Sequence, residues 1–283
     1  MITEQLEIIR LALEEDLASG VDVTTDWLVE TSLVGEAWIE ARENAYISGL
    51  NTVKEVFAAI DPEVVVTPLC EDGAKVRPLN RVVSIFGKAS SILKAERTAL
   101  NFLTHLSGVA TRTAELVEIA RPYGTKVWCT RKTTPGLRRL EIEAVRAGGG
   151  DTYRDSLYSK ILIKDNHLSI IGGIESLAKR LEGDLDAEMN LREGKIEVAS
   201  LYELDVAVRM GWKKVLLDNF APEQVREAVE RYAKDVSLEA SGGIHLGNIR
   251  EYAATGIEAV SVGELTHSVD SIDFALEVDW SVN

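Results

Sequence analysis

The pattern of apolar and polar positions changes character once along the chain, near Pro122. Before that point, Leu6, Ile9, Leu13 and Leu17 recur at helical spacing and predict a helix over 4–18, with Gly20 just past its end. Short β-branched runs follow at 36–50, 63–69 and 81–86, separated by turn-forming stretches such as EDG and RPLN. A long helical pattern, KAERTALNFLTHLSGVATRTAELVEIA, comes next, with a break or bend expected around Ser107–Gly108. After Pro122, apolar runs (KVWCT, KILIK, KIEVA, KVLLD, VSLEA, AVSVG) alternate with amphipathic stretches such as SLYELDVAVRM and PEQVREAVERYA. Such alternation predicts parallel strands joined by crossover helices. Several strands end in polar residues or glycine (CTRK, IKDN, LLDN, EASGG, SVGE), and chemistry at the carboxyl ends of parallel strands is a (β/α) barrel feature. An open doubly wound sheet fits the alternation almost as well, although the G-x-G-x-x-G turn of a dinucleotide fold is missing. The final SIDFALEVDW reads as a strand or helix returning to the first domain.

Composition narrows the partners. The 283 residues carry a net charge of −15, which repels nucleic-acid phosphates and anionic membrane surfaces. No apolar run is long enough to span a bilayer, and the N-terminus lacks the basic start and apolar stretch of a signal peptide. Cys70 and Cys129 have no metal-ligand spacing and read as reduced thiols. The expectation is a cytoplasmic protein. One segment reverses the charge: between Arg131 and Lys164 stand eight Lys or Arg against four Asp or Glu. That contrast points to a small-anion site, although a solvated basic face would look the same.

The candidate chemistry gathers at the strand ends. Arg131 and Lys132 follow the first barrel strand; an arginine there can grip a carboxylate with two donors and a lysine can offer a point charge to phosphate. Gly148–Gly150 permit close approach of backbone to a ligand, or serve as a helix cap and loop. Arg154 and Lys164 add two more cations at the same end, and His167 reads as a loop or capping residue rather than a base. Glu197 and Asp218 end successive strands, as a pair of Mg²⁺ ligands or as helix N-caps. Ser241–Gly243 and Gly263–Leu265, with Glu264 between, form glycine-containing loops of the kind that bind phosphate through backbone N–H groups.

These segments, in order (GVDVTT, AERTALNFLTHLSGVAT, CTRKTTPGLRRLEIEAVRAGGG, ILIKDNH, EVASL, LLDNF, EASGGI, SVGELTHS), resemble the quinolinate phosphoribosyltransferase family over nearly the whole chain. The resemblance implies an α/β protein: an N-terminal α/β sandwich domain over 1–108, joined by 269–283, plus an incomplete (β/α) barrel over 109–268. It implies transfer of phosphoribosyl from phosphoribosyl pyrophosphate to quinolinate with decarboxylation, giving nicotinate mononucleotide, pyrophosphate and CO₂, with Mg²⁺, in a homodimer or a dimer-based higher oligomer. It also implies roles. Lys132, Glu197 and Asp218 would be catalytic, the two carboxylates holding the metal. Arg97 (from the neighbouring subunit), Thr130, Arg131, Tyr153, Arg154 and Lys164 would bind the acceptor. Ser241, Gly242, Gly243, Gly263, Glu264 and Leu265 would cradle the 5′-phosphate.

The chain departs from the family pattern in three places. Tyr153 stands where histidine is usual, Lys195 and Ala199 flank Glu197 where acids are usual, and Glu264 replaces a small residue. The Tyr153 hydroxyl is expected to take over the lost donor to a substrate carboxylate. Transfer to nicotinate or another heterocycle, a barrel that binds a phosphorylated ligand without turnover, and a sugar-phosphate isomerase or synthase are the alternatives.

Overall fold

The computed structural model describes residues 2–18, 20–182 and 187–280. Contacts divide the chain into two compact units, 1–114 with 133–149 and 268–283, and 115–132 with 150–267. The segment 133–149, placed in the barrel span above, thus groups with the first unit.

In the first unit, α1 (Ile2–Leu17) and α2 (Val23–Leu28) open the chain. The Asp22 carboxylate caps α2 by accepting from the Thr24 and Thr25 N–H groups, each at 3.0 Å. There follow β1 (Val34–Ala41), β2 (Ala45–Tyr46), α3 (Leu50–Ile60), β3 (Val65–Pro68), β4 (Lys75–Val76), β5 (Arg81–Lys88) and α4 (Ala89–Ala120). The strands at 34–41, 65–68 and 81–88 form an antiparallel sheet completed by Phe274–Asp279, which pairs with β1. The chain end is therefore a strand. Alternation along β1 buries Ala37, Ile39 and Ala41 on one face, against residues such as Phe57 and Ile85 of the same core. Helix α3 went unread in the sequence because it is short and lies directly against a β-branched run.

Helix α4 runs 32 residues without the break expected at Ser107–Gly108. Both residues serve close packing instead of ending the helix. A Cβ on Gly108 would lie 2.3 Å from the Asp270 carbonyl oxygen, and buried Ser107 Oγ accepts from the Ser48 N–H at 3.1 Å. Later in this unit, α5 (Arg138–Ala147) is held by buried Glu141, which meets His105 Nε2 at 2.9 Å and accepts from the Thr134 N–H at 3.1 Å.

The second unit carries β6 (Lys126–Cys129), β7 (Asp151–Thr152) and β8 (Leu162–Ile163), followed by α6 (Asp165–Ile171), α7 (Ile174–Leu181) and α8 (Ala187–Glu193). Then come β9 (Lys195–Val198), α9 (Leu201–Arg209), β10 (Lys214–Asp218), α10 (Pro222–Tyr232), β11 (Ser237–Ser241), α11 (Ile249–Ala253), β12 (Ala259–Val262) and α12 (Glu264–His267), before β13 (Phe274–Asp279) in the first unit. The seven strands are parallel, in the order β7-β6-β12-β11-β10-β9-β8. The sheet curls but does not close: β7 and β8 are its two edges, which makes an incomplete barrel. Branched and small residues such as Ile196, Val215, Leu217, Val260 and Val262 bury the outer layer of the strands. Among the described residues no helix is long and apolar enough to cross a membrane.

Candidate active site

The carboxyl ends of the seven strands surround a cavity of about 770 Å³, lined wholly by residues of the second unit. That size suits a ligand of drug-like dimensions or larger. Strand geometry explains the lining. Side chains alternate, so residues two apart share a face: Glu197 on β9, Leu216 and Asp218 on β10, Glu239 and Ser241 on β11, Ser261 and then Gly263 after β12.

Cations come from the strands at both edges of the sheet. Thr130, Arg131 and Lys132 leave β6, Tyr153 and Arg154 leave β7, and Lys164 leaves β8; all line the cavity. Thr130 Oγ1 accepts from the Lys132 N–H at 3.1 Å, and Thr266 Oγ1 donates to the Lys132 carbonyl at 2.7 Å, so the main chain under Lys132 is fixed. The Nε atoms of Arg131 and Arg154 are buried and have no hydrogen-bond partner. Burial first, and then the neighbouring Arg131 charge, lower the Arg154 pKa. Lys164 is the N-cap of α6, its N–H donating to His167 Nδ1 at 2.9 Å, which makes His167 a capping residue. Its ammonium pairs with Glu197 at 3.0 Å.

Carboxylates come from the strands between, Glu197 on β9, Asp218 on β10 and Glu239 on β11. Asp218 accepts from Asn219 Nδ2 at 2.7 Å. Glu239 is buried, paired with the Lys195 ammonium and accepting from the Ser261 hydroxyl. Among the described residues no three His, Cys, Asp or Glu side chains gather as a metal site.

Two loops complete the rim. Gly242 and Gly243 have φ of +98° and +63°, and a Cβ on Gly242 would lie 2.2 Å from Asn219 Oδ1. Only glycine fits there, and the backbone is left bare toward the cavity. Gly263 is comparably tight, 2.9 Å from His267 Nε2 on the same test. The Glu264 carboxylate is turned to its own protein, accepting from the Leu246 N–H at 3.2 Å.

Of the residues singled out in the sequence, Arg97 and Leu265 are not in the lining. Arg97 is exposed on α4 in the first unit, and the Leu265 side chain is buried in the core, which leaves only its main chain for a ligand. The 148–150 glycines do not line the cavity either. Gly148 ends α5, and a Cβ there would strike the Ala110 carbonyl at 2.4 Å, so packing is what requires it. The Tyr153 hydroxyl does not stand free as a donor for substrate: it donates to the Glu193 carbonyl at 3.1 Å. Sequence reading passed over Glu239 and Ser261, and met Lys195 only as a departure from the family pattern. Each lies two residues before a residue it did identify, and that period was the available signal.

Comparison with known proteins agrees with this architecture. Residues 22–107 match the quinolinate phosphoribosyl transferase N-terminal domain, and residues 109–277 match the C-terminal domain. A probable carboxylating nicotinate-nucleotide pyrophosphorylase of Methanothermobacter thermautotrophicus is 36% identical, covering 96% of this chain and 98% of its own. The carboxylating nicotinate-nucleotide pyrophosphorylase of Mycobacterium leprae is 37% identical, covering 96% of both chains. The solved structure of nicotinate-nucleotide pyrophosphorylase from Francisella tularensis superposes with a TM-score of 0.91 at 37% identity, over 98% of this chain and 96% of that one. With two domain models matched end to end, this chain belongs to the quinolinate phosphoribosyl transferase family.

Proposed function

We propose that the protein transfers the phosphoribosyl group of phosphoribosyl pyrophosphate to the ring nitrogen of quinolinate, releasing pyrophosphate and CO₂ and forming nicotinate mononucleotide for NAD synthesis. The observation that carries this reading is the pair of buried, unpartnered Nε atoms on Arg131 and Arg154, two adjacent guanidiniums in one cavity. A buried donor without a partner costs about 1–3 kcal/mol, so these groups suit an anion that arrives with acceptors for both. A ring with two carboxylates does so, and Lys164 and Thr130 stand in the same lining to complete its shell.

The rest of the site suits the donor. Backbone at Ser241, Gly242, Gly243 and Gly263, with the main chain of Glu264 and Leu265, would hold the 5′-phosphate, since no side chain blocks approach at the glycines. Lys132 would neutralise pyrophosphate as the C1–O bond breaks. Positive charge then builds on the ribose, and Glu197 and Asp218 would stabilise it. The ring nitrogen closes the new bond to C1. The now cationic ring draws in the electron pair left at C2 when that carboxylate departs as CO₂, and a solvent proton fills the position, so no dedicated base is required.

The donor set fits Mg²⁺: two carboxylates, Glu197 and Asp218, offer hard oxygens in one cavity, and Mg²⁺ commonly takes few protein ligands and completes its shell with water and substrate phosphates. Bound there with pyrophosphate, it would supply charge neutralisation to the leaving group.

A dimer belongs to the same reading. Exposed Arg97 would reach a second copy's cavity, and Val23, Trp27 and Leu28 on α2, exposed at 77%, 81% and 62%, offer apolar surface for the pairing. Cys70 and Cys129, both thiols, suit a cytoplasmic setting. Mass spectrometry of the products formed from phosphoribosyl pyrophosphate and Mg²⁺ with either quinolinate or nicotinate tests the whole. Nicotinate mononucleotide and CO₂ from quinolinate support it, and turnover of nicotinate alone overturns it.

A further inference from the structure

The half-barrel has a seam. Its edge strands β7 and β8 do not pair, so nothing in the sheet's own hydrogen bonding fixes how far the residues after β7 stand from the far side. Hydrogen bonds cross that seam from the Tyr153 hydroxyl to the Glu193 carbonyl and from Arg154 Nη1 to the Lys160 carbonyl, at 3.1 and 3.3 Å, and a buried cation crosses it as well. Lys195, the first residue of β9, is buried at 2% exposure, and its ammonium lies 3.5 Å from the centroid of the Tyr153 ring and 4.8 Å from that of Trp128 on β6. The two rings are stacked, with centroids 6.2 Å apart and planes at 30°. Glu239 on β11 holds the ammonium from the other direction. Lys195 itself does not line the cavity, while Tyr153, Arg154 and Glu239 do.

We propose that Lys195 is a positioning residue for the acceptor: anchored on Glu239, its ammonium seats the Tyr153 ring across the open seam, and that seat sets the cavity wall against which the acceptor ring lies beside Arg154, and so the preference among pyridine carboxylates. The proposal rests on the acceptor reading above. Its physical basis is that a cation held over an aromatic face is directional, and a desolvated one is worth more than an exposed one. Tyr153 has few other restraints of that strength. Its hydroxyl bond to Glu193 fixes the far end of the ring, and Lys160, at 4.7 Å from the centroid, is solvent-exposed. The seated ring is itself part of the cavity wall beside Arg154, whose guanidinium is held separately by the Lys160 carbonyl at 3.3 Å.

A double-mutant cycle of Lys195→Met and Tyr153→Leu tests this, with kcat and KM measured for quinolinate and KM for phosphoribosyl pyrophosphate. Lys195→Met should raise the quinolinate KM about tenfold while the donor KM stays within about twofold. In the Tyr153→Leu background the same change should add less than about twofold, because the ring it seats is gone. Lys195→Arg should restore most of the acceptor KM. Should Lys195→Met leave Glu239 buried and charged without a partner and fail to fold, Lys195→Gln, which keeps a donor for Glu239, runs the cycle in its place.

Additive effects, equal movement of both KM values, or a loss of Tm with unchanged kinetics would overturn the proposal. A parent protein that makes no nicotinate mononucleotide overturns the function proposed above instead. The cycle is then read as calorimetric binding of quinolinate and nicotinate, where equal affinities in parent and variants overturn the role of Lys195, and so does a parent that binds neither acid.

Discussion

Tyr153→Phe separates two roles for one side chain. The substitution deletes a single oxygen and leaves the ring, with its seat against Lys195 and Trp128, in place. The hydroxyl proton is engaged by the Glu193 carbonyl at 3.1 Å, so what is lost is a neutral main-chain hydrogen bond. Such a bond contributes about 0.5–1.5 kcal/mol, at its low end here because Glu193 is exposed and water can replace the donor. Thermal unfolding should therefore fall by about 1–4 °C, with kcat/KM for quinolinate within about twofold of the parent. High pH offers an independent check. Burial, and then the nearby Glu239 charge, push the Tyr153 phenol up to about 12 from its ordinary 10. The folded state thus keeps a proton that the unfolded chain gives up, and stability present below pH 10 is lost as pH rises toward 12. The phenylalanine variant should lose less over that window in alkaline denaturation. A tenfold drop in kcat/KM at unchanged Tm would refute the reasoning and put the hydroxyl on the substrate.

Other substitutions probe the charged groups. Lys164→Ala should raise the quinolinate KM about ten- to a hundredfold, the loss of one charge-assisted bond of about 1.5–3 kcal/mol; saturation at the parental concentration would contradict this. Glu197→Gln and Asp218→Asn should each slow turnover at saturating Mg²⁺ far more than they lower Tm, and near-parental kcat in either would remove that carboxylate from the chemistry. Arg97→Ala and Lys132→Ala chains, each inactive alone, should recover activity on mixing, since a hybrid dimer would hold one cavity with both residues; no recovery after confirmed subunit exchange rules out Arg97 as a residue lent by the partner.

The barrel was legible because its period is simple: each strand is a short apolar run ending in a residue that chemistry can use, so the strand-end positions 130–132, 197, 218, 241 and 263 were identified and all line one cavity. What was not legible depends on distance in the fold. Gly108 and Gly148 look like helix interruption and ligand clearance in sequence, yet both are imposed by carbonyls, of Asp270 and Ala110, that local pattern does not reveal. Helix α3 starts at left-handed Gly49 and sits among strands, where short apolar runs carry no clear period. Tyr153 and Lys195 were noticed as separate departures from the family pattern. Only the curl of the sheet, which brings β9 back to β6 and β7, shows that they touch.

That curl also resolves how a chain of net charge −15 can hold two anionic substrates. The cavity is not simply basic, for Glu197, Asp218, Glu239 and Glu264 all line it. Sheet order distributes the charges: Arg131, Lys132 and Arg154 follow β6 and β7 at one edge, Lys164 follows β8 at the other, and Glu197, Asp218 and Glu239 lie on β9, β10 and β11 between them. Two of these carboxylates are paired with ammonium groups, Glu239 with Lys195 and Glu197 with Lys164, while Glu264 accepts from the Leu246 N–H and Asp165, also in the lining, accepts from the Asn166 N–H. Arg131, Lys132 and Arg154 have no carboxylate partner among the described residues, and two of them bury donors that nothing in the protein satisfies. Local pairing, not net charge, therefore decides what the site attracts, because a neutralised pair has little field a few ångströms away while a desolvated guanidinium keeps most of its own. Asp218, held by Asn219 and paired with no cation among the described residues, keeps charge to spend on a cation. A ligand with anionic ends and a centre that turns positive during reaction matches that division at every point.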